Sequence, residues 1–320
     1  MSDKQQFRLG LVGYGEIGST LGKGLRGAGL QQIFCYDKYA FDGPYADLIQ
    51  DRAKAAGVTL VKSNQELADA AELIFSVTPG SASLESAAAF APVLDGRHTF
   101  LDFASATPKV KYGVAERLAK TGATLGDGSI MGTPKNGYAM HMMSSGPAGQ
   151  RVVDLLVPWG MSIEFAGQKL GTASGIKILR SVLIKGIEAL IDETLLAARS
   201  YGLDDTVLAS ASKTLTRPFM DTVESLTPSG VIHAKRRTEE VEMAAEAVED
   251  AGIEPLMARA TVARLRWKES LGLKEHFKGV VPDNYKVHRR DRGQDAGRSE
   301  GGRIRPSQQN NNRKPTGRET

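Results

Sequence analysis

A single cysteine, Cys35, leaves no partner for an internal disulfide in this chain of 320 residues, and it argues against any cysteine-based metal centre. No spacing of His or Cys suggests a metal site either. No uncharged apolar run approaches the roughly 18 residues that a membrane span requires. The opening MSDKQQF is polar and passes directly into a strand-like segment, so no signal peptide is expected and the expected compartment is the cytoplasm. What remains is ordinary soluble material, 41% hydrophobic and 24% charged. At about 100–200 residues per domain that points to two domains.

The net charge of +4 has one source. Residues 289–320 hold nine Lys or Arg against four acids, a balance of +5 that leaves −1 for the preceding chain. This tail is rich in Gly, Gln, Asn, Arg and Pro, with Ile304 almost its sole apolar residue. It has too little apolar surface to offset its ordering entropy and is expected to be a disordered basic tail. An electrostatic arm for RNA or an acidic partner is the alternative. The lack of interleaved aromatics for base stacking makes nucleic acid the weaker reading.

Phe7–Gly13 is an apolar run of buried-strand length. It leads at once into Gly13-Tyr14-Gly15-Glu16-Ile17-Gly18, then a helix-compatible segment to about Gly27, then a second short strand ending in Asp37. Three glycines alone are a weak signal. Here they lie between a strand and a helix, with an acid about 19 residues beyond the last of them, the context of a dinucleotide-binding loop. Gly13 permits the tight turn, Gly15 the approach of a pyrophosphate, and Gly18 the close packing of helix on strand. The helix N-terminus presents free N–H groups to phosphate. Asp37 is placed to accept from the adenosine ribose hydroxyls, which favours NAD, while the neighbouring Lys38 leaves NADP open.

Strand-like and helix-like segments then alternate, with strands at 57–61, 73–77 and 99–103, and 124–134 starting as a strand and becoming a flexible loop. Ligands in open parallel sheets sit outside the carboxyl ends of the strands, which nominates Thr78, Pro79 and Ser105 for the nicotinamide side. Two further strands are expected at 139–145 and 161–166, after which the alternation stops. From Gly171 to Tyr201, Ile176, Leu179, Leu183, Ile187, Leu190, Ile191 and Leu195 recur at helical steps, predicting one long helix. Helical segments follow at 204–226, 233–251 and 254–271, with Pro218, Pro228 and Pro255 as starts or interruptions. The expected architecture is an α/β Rossmann-type doubly wound domain (1–166), an all-α domain (167–288) and the tail (289–320).

The glycine loop, the strand-end loop at 126–134 and the segment GTASGIKILRS (171–181) resemble the β-hydroxyacid dehydrogenase superfamily, which includes 3-hydroxyisobutyrate and 6-phosphogluconate dehydrogenases. The resemblance runs from residue 7 to about 288. Gly-Ile-Lys-Ile-Leu-Arg-Ser and the later His-Ala-Lys-Arg-Arg (233–237) are similar to a branch with a phosphogluconate-dehydrogenase-type NAD domain and a distinct helical C-terminal domain. The resemblance implies that Lys177 stands at the catalytic lysine position. It puts Ser181 where the family carries an asparagine, with Arg180 before it. In the family's substrate loop Asp127 and Gly132 are kept, while Met131 replaces a serine. Ser129, Gly132, Thr133, Arg180 and Ser181 are then the expected substrate contacts, and a homodimer through the helical domain is the expected assembly.

Oxidising a secondary alcohol needs a base for the hydroxyl proton and a nicotinamide to take the hydride. A lysine serves when burial and nearby cations bring its pKa down from about 10.4. Lys177 lies between Ile176 and Ile178, and Arg180 at i+3 is expected to add like-charge repulsion. His233, Arg236, Arg237 and Glu240 fall on one helical stripe, with His233 the strongest candidate for a substrate contact; the stripe reads equally as a salt-bridged surface. The expected activity is an NAD(P)-dependent dehydrogenase acting on a small polar hydroxy compound, a hydroxy acid first. An imine reductase shares the architecture but usually carries another residue at the lysine position. A non-catalytic dinucleotide sensor is the remaining alternative.

Overall fold

The computed structural model describes residues 5–286, so the basic tail lies outside the described residues. In chain order the first part runs β1 (Arg8–Val12), α1 (Glu16–Gly27), β2 (Gln32–Tyr36), α2 (Ala46–Ala56), β3 (Thr59–Leu60), α3 (Asn64–Ala70), β4 (Leu73–Ser76), α4 (Ser83–Phe90), β5 (Thr99–Asp102), α5 (Pro108–Leu118), β6 (Thr124–Ile130), β7 (Met142–Ser145), α6 (Gly149–Leu156) and β8 (Ile163–Phe165). The eight strands form one sheet in the order β3-β2-β1-β4-β5-β6-β7-β8. All neighbours are parallel except β6 and β7. Because strand side chains alternate, Leu9, Leu11, Phe75 and Leu101 feed a core on one face, and Val12, Ile74 and Phe100 feed a core on the other. This is the doubly wound Rossmann-type arrangement, and the order reverses at β1, where β2 and β4 flank it.

The expected strands and alternation are present. The helices α2, α5 and α6 were not legible as separate elements. β7 starts later than expected because Pro134–Ala139 is taken up by tight helical turns. The long helix is α7 (Thr172–Ser200), 29 residues without a break. The chain divides into two compact units at Gly186/Ile187, inside α7, rather than at the expected 166/167. The reason is local: the Ala173 and Ser174 N–H groups donate to Ser145 and Asp127 on the sheet, so the first turns of α7 belong with the first unit.

The second unit holds the rest of α7 and α8 (Asp204–Leu215), α9 (Phe219–Ile232), α10 (Ala234–Asp250), α11 (Leu256–Glu269) and α12 (Leu273–His276). The helix expected over 204–226 is two helices, broken before Pro218, since proline disfavours helical backbone in the residue ahead of it. Pro228 does not interrupt; it sits inside α9, and the break comes at His233. A small core of Val231, Ile232 and Leu273 with Phe277 joins α9 to α12. Pro255 offers α11 no side-chain cap. The Glu193 carboxylate of α7 takes that place, accepting from Met257 N (2.7 Å) and Ala258 N (2.8 Å). No helix of the described residues is long and apolar enough to cross a membrane. Glu193→Ala is expected to lower stability by about 1–2 kcal/mol, the range of a lost N-terminal cap, as measured by urea denaturation.

Candidate functional site

A cleft of about 1070 Å³ opens along the carboxyl ends of the parallel strands. Gly13, Gly15, Glu16 and Ile17 line it after β1, Asp37 and Lys38 after β2, Thr78 and Pro79 after β4, Ser105 after β5, and Ile130, Gly132 and Pro134 after β6. Lys177 of α7 completes the lining. Gly13 turns the chain at φ +94°, and a Cβ on Gly18 would stand 2.2 Å from the Gly13 carbonyl oxygen, so helix and strand meet backbone to backbone. The α1 N-terminus has no side-chain cap, and a Cβ on Gly15 would meet nothing within 4 Å. Uncapped N–H groups facing open space, at the positive end of the helix dipole, are chemically suited to an anion.

Asp37 holds the loop in this shape. One carboxylate oxygen accepts from Tyr14 N (2.7 Å) and the other from Tyr39 N (2.9 Å). Tyr14 contributes its backbone, whereas its side chain is buried among Leu9, Leu11 and Leu21 in the first core. Tyr14 and Gly18 therefore shape the loop without lining the cleft. Lys38 leans toward Glu85 of α4 at 3.9 Å. Tyr39, Tyr45 and Arg52 line the same end.

At the far side, Lys177 Nζ donates to Ser105 Oγ at 2.6 Å. Burial holds the Lys177 amine below the ordinary lysine value, and the Lys111 ammonium adds repulsion. This corrects one expectation: the neighbouring cation is Lys111 of α5, while Arg180 is exposed and does not line the cleft. Lys111 is fully buried and donates to Asp102 O (2.6 Å), Asp102 Oδ2 (3.0 Å) and Ala104 O (2.8 Å), with Asp127 Oδ1 at 3.5 Å. Asp127 in turn accepts from Ser174 N (2.9 Å), from the Ser174 hydroxyl and from Ser145 Oγ (3.2 Å). One buried network thus fixes both the loop that carries Ser105 and the helix that carries Lys177.

Other expected substrate residues are placed differently. Ser129 is buried within β6, and its neighbour Ile130 takes the cleft-facing position because strand residues alternate. The Thr133 hydroxyl accepts from Lys135 N (3.2 Å), capping a turn, and does not line the cleft. Ser181 donates to Lys177 O (3.0 Å), bonding back onto its own helix. His233 is exposed at the α9–α10 junction, off the regular stripe of α10, and Arg236 pairs with Glu240 on the surface. Of the substrate group, Gly132 alone lines the cleft.

Residues missed by the sequence reading include Arg52, Tyr39, Tyr45 and Lys111. Nothing local marks the first three. Lys111 did leave a signal: with Val114 and Leu118 it falls on the buried stripe of α5, a charge where an apolar residue belongs.

Residues 198–267 match a family model described as a domain of unknown function, DUF1932. An uncharacterised 28.5 kDa protein of Methanothermus fervidus is 27% identical over 255 residues, covering 79% of this chain and 96% of that one. The conserved protein MTH1747, of unknown function and described as structurally similar to 3-hydroxyacid dehydrogenases, is 26% identical with a TM-score of 0.56, covering 83% of this chain and 98% of that chain. An imine reductase of Myxococcus stipitatus, solved as a variant with NAD+, shares the fold at 15% identity and a TM-score of 0.69, covering 89% of this chain and 98% of its own. The order of a Rossmann-type unit followed by a helical unit is the fold that this chain shares with these two solved structures.

Lys111→Met strips two buried carboxylates of their cation, and a loss of about 3–5 kcal/mol is expected in urea denaturation, as for other broken buried pairs. In the same variant the Lys177 amine, freed of one repulsion, is expected to titrate nearer the ordinary value of 10.5, read from its ¹³Cε shift.

Proposed function

We propose that the chain is an NAD(P)-dependent oxidoreductase that moves hydride between nicotinamide and a small polar hydroxy compound, a hydroxy acid being the expected class. The observation that carries the reading is a lysine amine of lowered proton affinity, lining the same cleft as an uncapped glycine-loop helix. From β2 to β6 the cleft crosses four strand steps of about 4.8 Å, roughly 19 Å, room for an extended dinucleotide. The residues present fit that occupant. The α1 N–H groups face the pyrophosphate position and Asp37 keeps lone pairs for ribose hydroxyls. NAD is the preferred form; Lys38 and Arg52 at the same end supply cations that keep NADP as the alternative.

When bound, nicotinamide supplies the hydride acceptor or donor. Lys177 does the proton work. As a neutral amine it takes the hydroxyl proton during oxidation, and as an ammonium it returns a proton to the carbonyl oxygen during reduction. Burial and the Lys111 charge lower the proton affinity of the amine, the direction that general acid–base catalysis requires of a lysine. Ser105 holds the amine in place by its hydrogen bond. Gly132 remains the proposed substrate-loop contact, with Thr78 and Pro79 beside the nicotinamide position.

Two copies are also proposed to assemble through the long helix and the helical unit. Leu179 and Val182 of α7 are 72% and 71% exposed, and Leu183, Ile184, Ile187 and Ile191 are exposed as well. A stripe this apolar on a soluble chain marks an interaction surface. The double variant Leu179→Asp, Val182→Asp is expected to shift the sedimentation profile from dimer to monomer.

Turnover is read as NADH formation on hydroxy acids, against NADH consumption with cyclic imines, each repeated with the NADP forms. Lys177→Ala is expected to lower turnover by about 10²–10⁴-fold, the usual contribution of a general base, with dinucleotide affinity unchanged. Near-normal turnover in that variant removes Lys177 from the mechanism. Dinucleotide binding with no turnover on either panel points to a sensor.

A further inference from the structure

The second unit carries a cationic cluster of its own. Gly230 is buried in α9, and the point a Cβ would occupy there lies 2.9 Å from Lys268 Nζ and 3.1 Å from Arg237 Nη1. Two cations, one from α11 and one from α10, therefore converge over a residue with no side chain. Arg237 is held from behind: its Nη2 donates to Ser229 Oγ (2.9 Å) and its Nη1 to Leu226 O (3.3 Å). The Lys268 ammonium has no hydrogen-bond or ion-pair partner among the described residues. Arg264, one turn earlier on α11, stacks its guanidinium over Trp267 at 5.0 Å. Three acids of α10 are matched elsewhere: Glu240 to Arg236, Glu242 to Arg266 and Glu249 to Arg259.

We propose that Lys268 and Arg237, converging over Gly230, form a binding site for a compact oxyanion, a phosphate group first and a carboxylate second. The physical case is one of sign. Like charges brought this close repel, and a half-buried ammonium with three N–H donors and no acceptor gives up hydration without recompense. An oxyanion reverses both terms, accepting from Lys268 and from the guanidinium edge in charge-assisted hydrogen bonds. The missing side chain at Gly230 is what lets the two cations approach the α9 backbone this closely. The depressed proton affinity of Lys268, caused by burial and then by Arg237 and Arg264, agrees with a site that lacks its anion. This inference is independent of the hydride chemistry, since none of these residues lines the nucleotide cleft.

The test is a titration of the full chain with inorganic phosphate, and separately with acetate, at constant ionic strength, following the Gly230 amide by NMR. The expected result is a saturating shift at one site per chain, with phosphate bound more tightly than acetate. Lys268→Met and Arg237→Met are each expected to weaken phosphate roughly tenfold or more, the worth of a charge-assisted hydrogen bond. Gly230→Ala keeps every charge and suits a helix, yet fills the cradle by displacing two flexible side-chain ends, so it is expected to abolish saturation while leaving the circular dichroism intact. A shift that never saturates, or one that Gly230→Ala leaves untouched, means an adventitious ion only and overturns the proposal.

Discussion

The ammonium of Lys111, sealed between the ends of β5 and β6, governs the geometry of the cleft. Its placement begins locally. Thr107 caps α5 and Pro108 starts it, which turns the fourth helical residue inward under the sheet end. There the amine finds two carbonyls and two carboxylates, so the charge is solvated by protein instead of water. A buried pair of this kind contributes little net stability, because desolvation offsets most of the attraction, but it tolerates few other arrangements. Asp127 passes that restriction on to the first turn of α7. Lys177 then meets Ser105 at a fixed distance, with a like charge close enough to weaken its hold on a proton.

The two ends of the cleft are built on opposite electrostatic logic. Around Asp37 the carboxylate is spent on structure, since both of its oxygens already receive backbone N–H groups and so lock the glycine loop to the end of β2. Around Lys177 the opposite holds: an amine is kept half-dry beside a cation, a costly state that weakens its hold on a proton.

The helical unit is held together differently. Its buried apolar cluster is small, and much of its order comes from side chains closing backbone gaps, as Glu193 does for α11. Large apolar residues stay exposed along its helices, and the Lys268–Arg237 pair remains uncompensated. Both features leave surface free energy unspent, of two kinds: one suited to an apolar face and the other to a small anion.

Legibility in the sequence followed the range of the interactions. The glycine loop, Asp37 and the long helix bearing Lys177 were readable because each rests on neighbours within a turn or within one strand–helix unit. The misplacements of Ser129, Thr133 and Ser181 share one cause: their hydroxyl or strand position was captured by local structure that a loop-level reading does not resolve. Arg180 was credited with a repulsion that belongs to Lys111, 66 residues before Lys177 in the chain. By itself, then, the sequence determined the alternation of strands, the glycine turn after the first of them and the long helix that bears Lys177, all set by periodicity and backbone sterics over short spans. Only the tertiary structure decided which groups surround that amine. Ser105 and Lys177 stand 72 residues apart, and Asp127 and Ser174 stand 47 apart. Contacts at such separations are fixed by how a whole sheet packs, which no local pattern encodes.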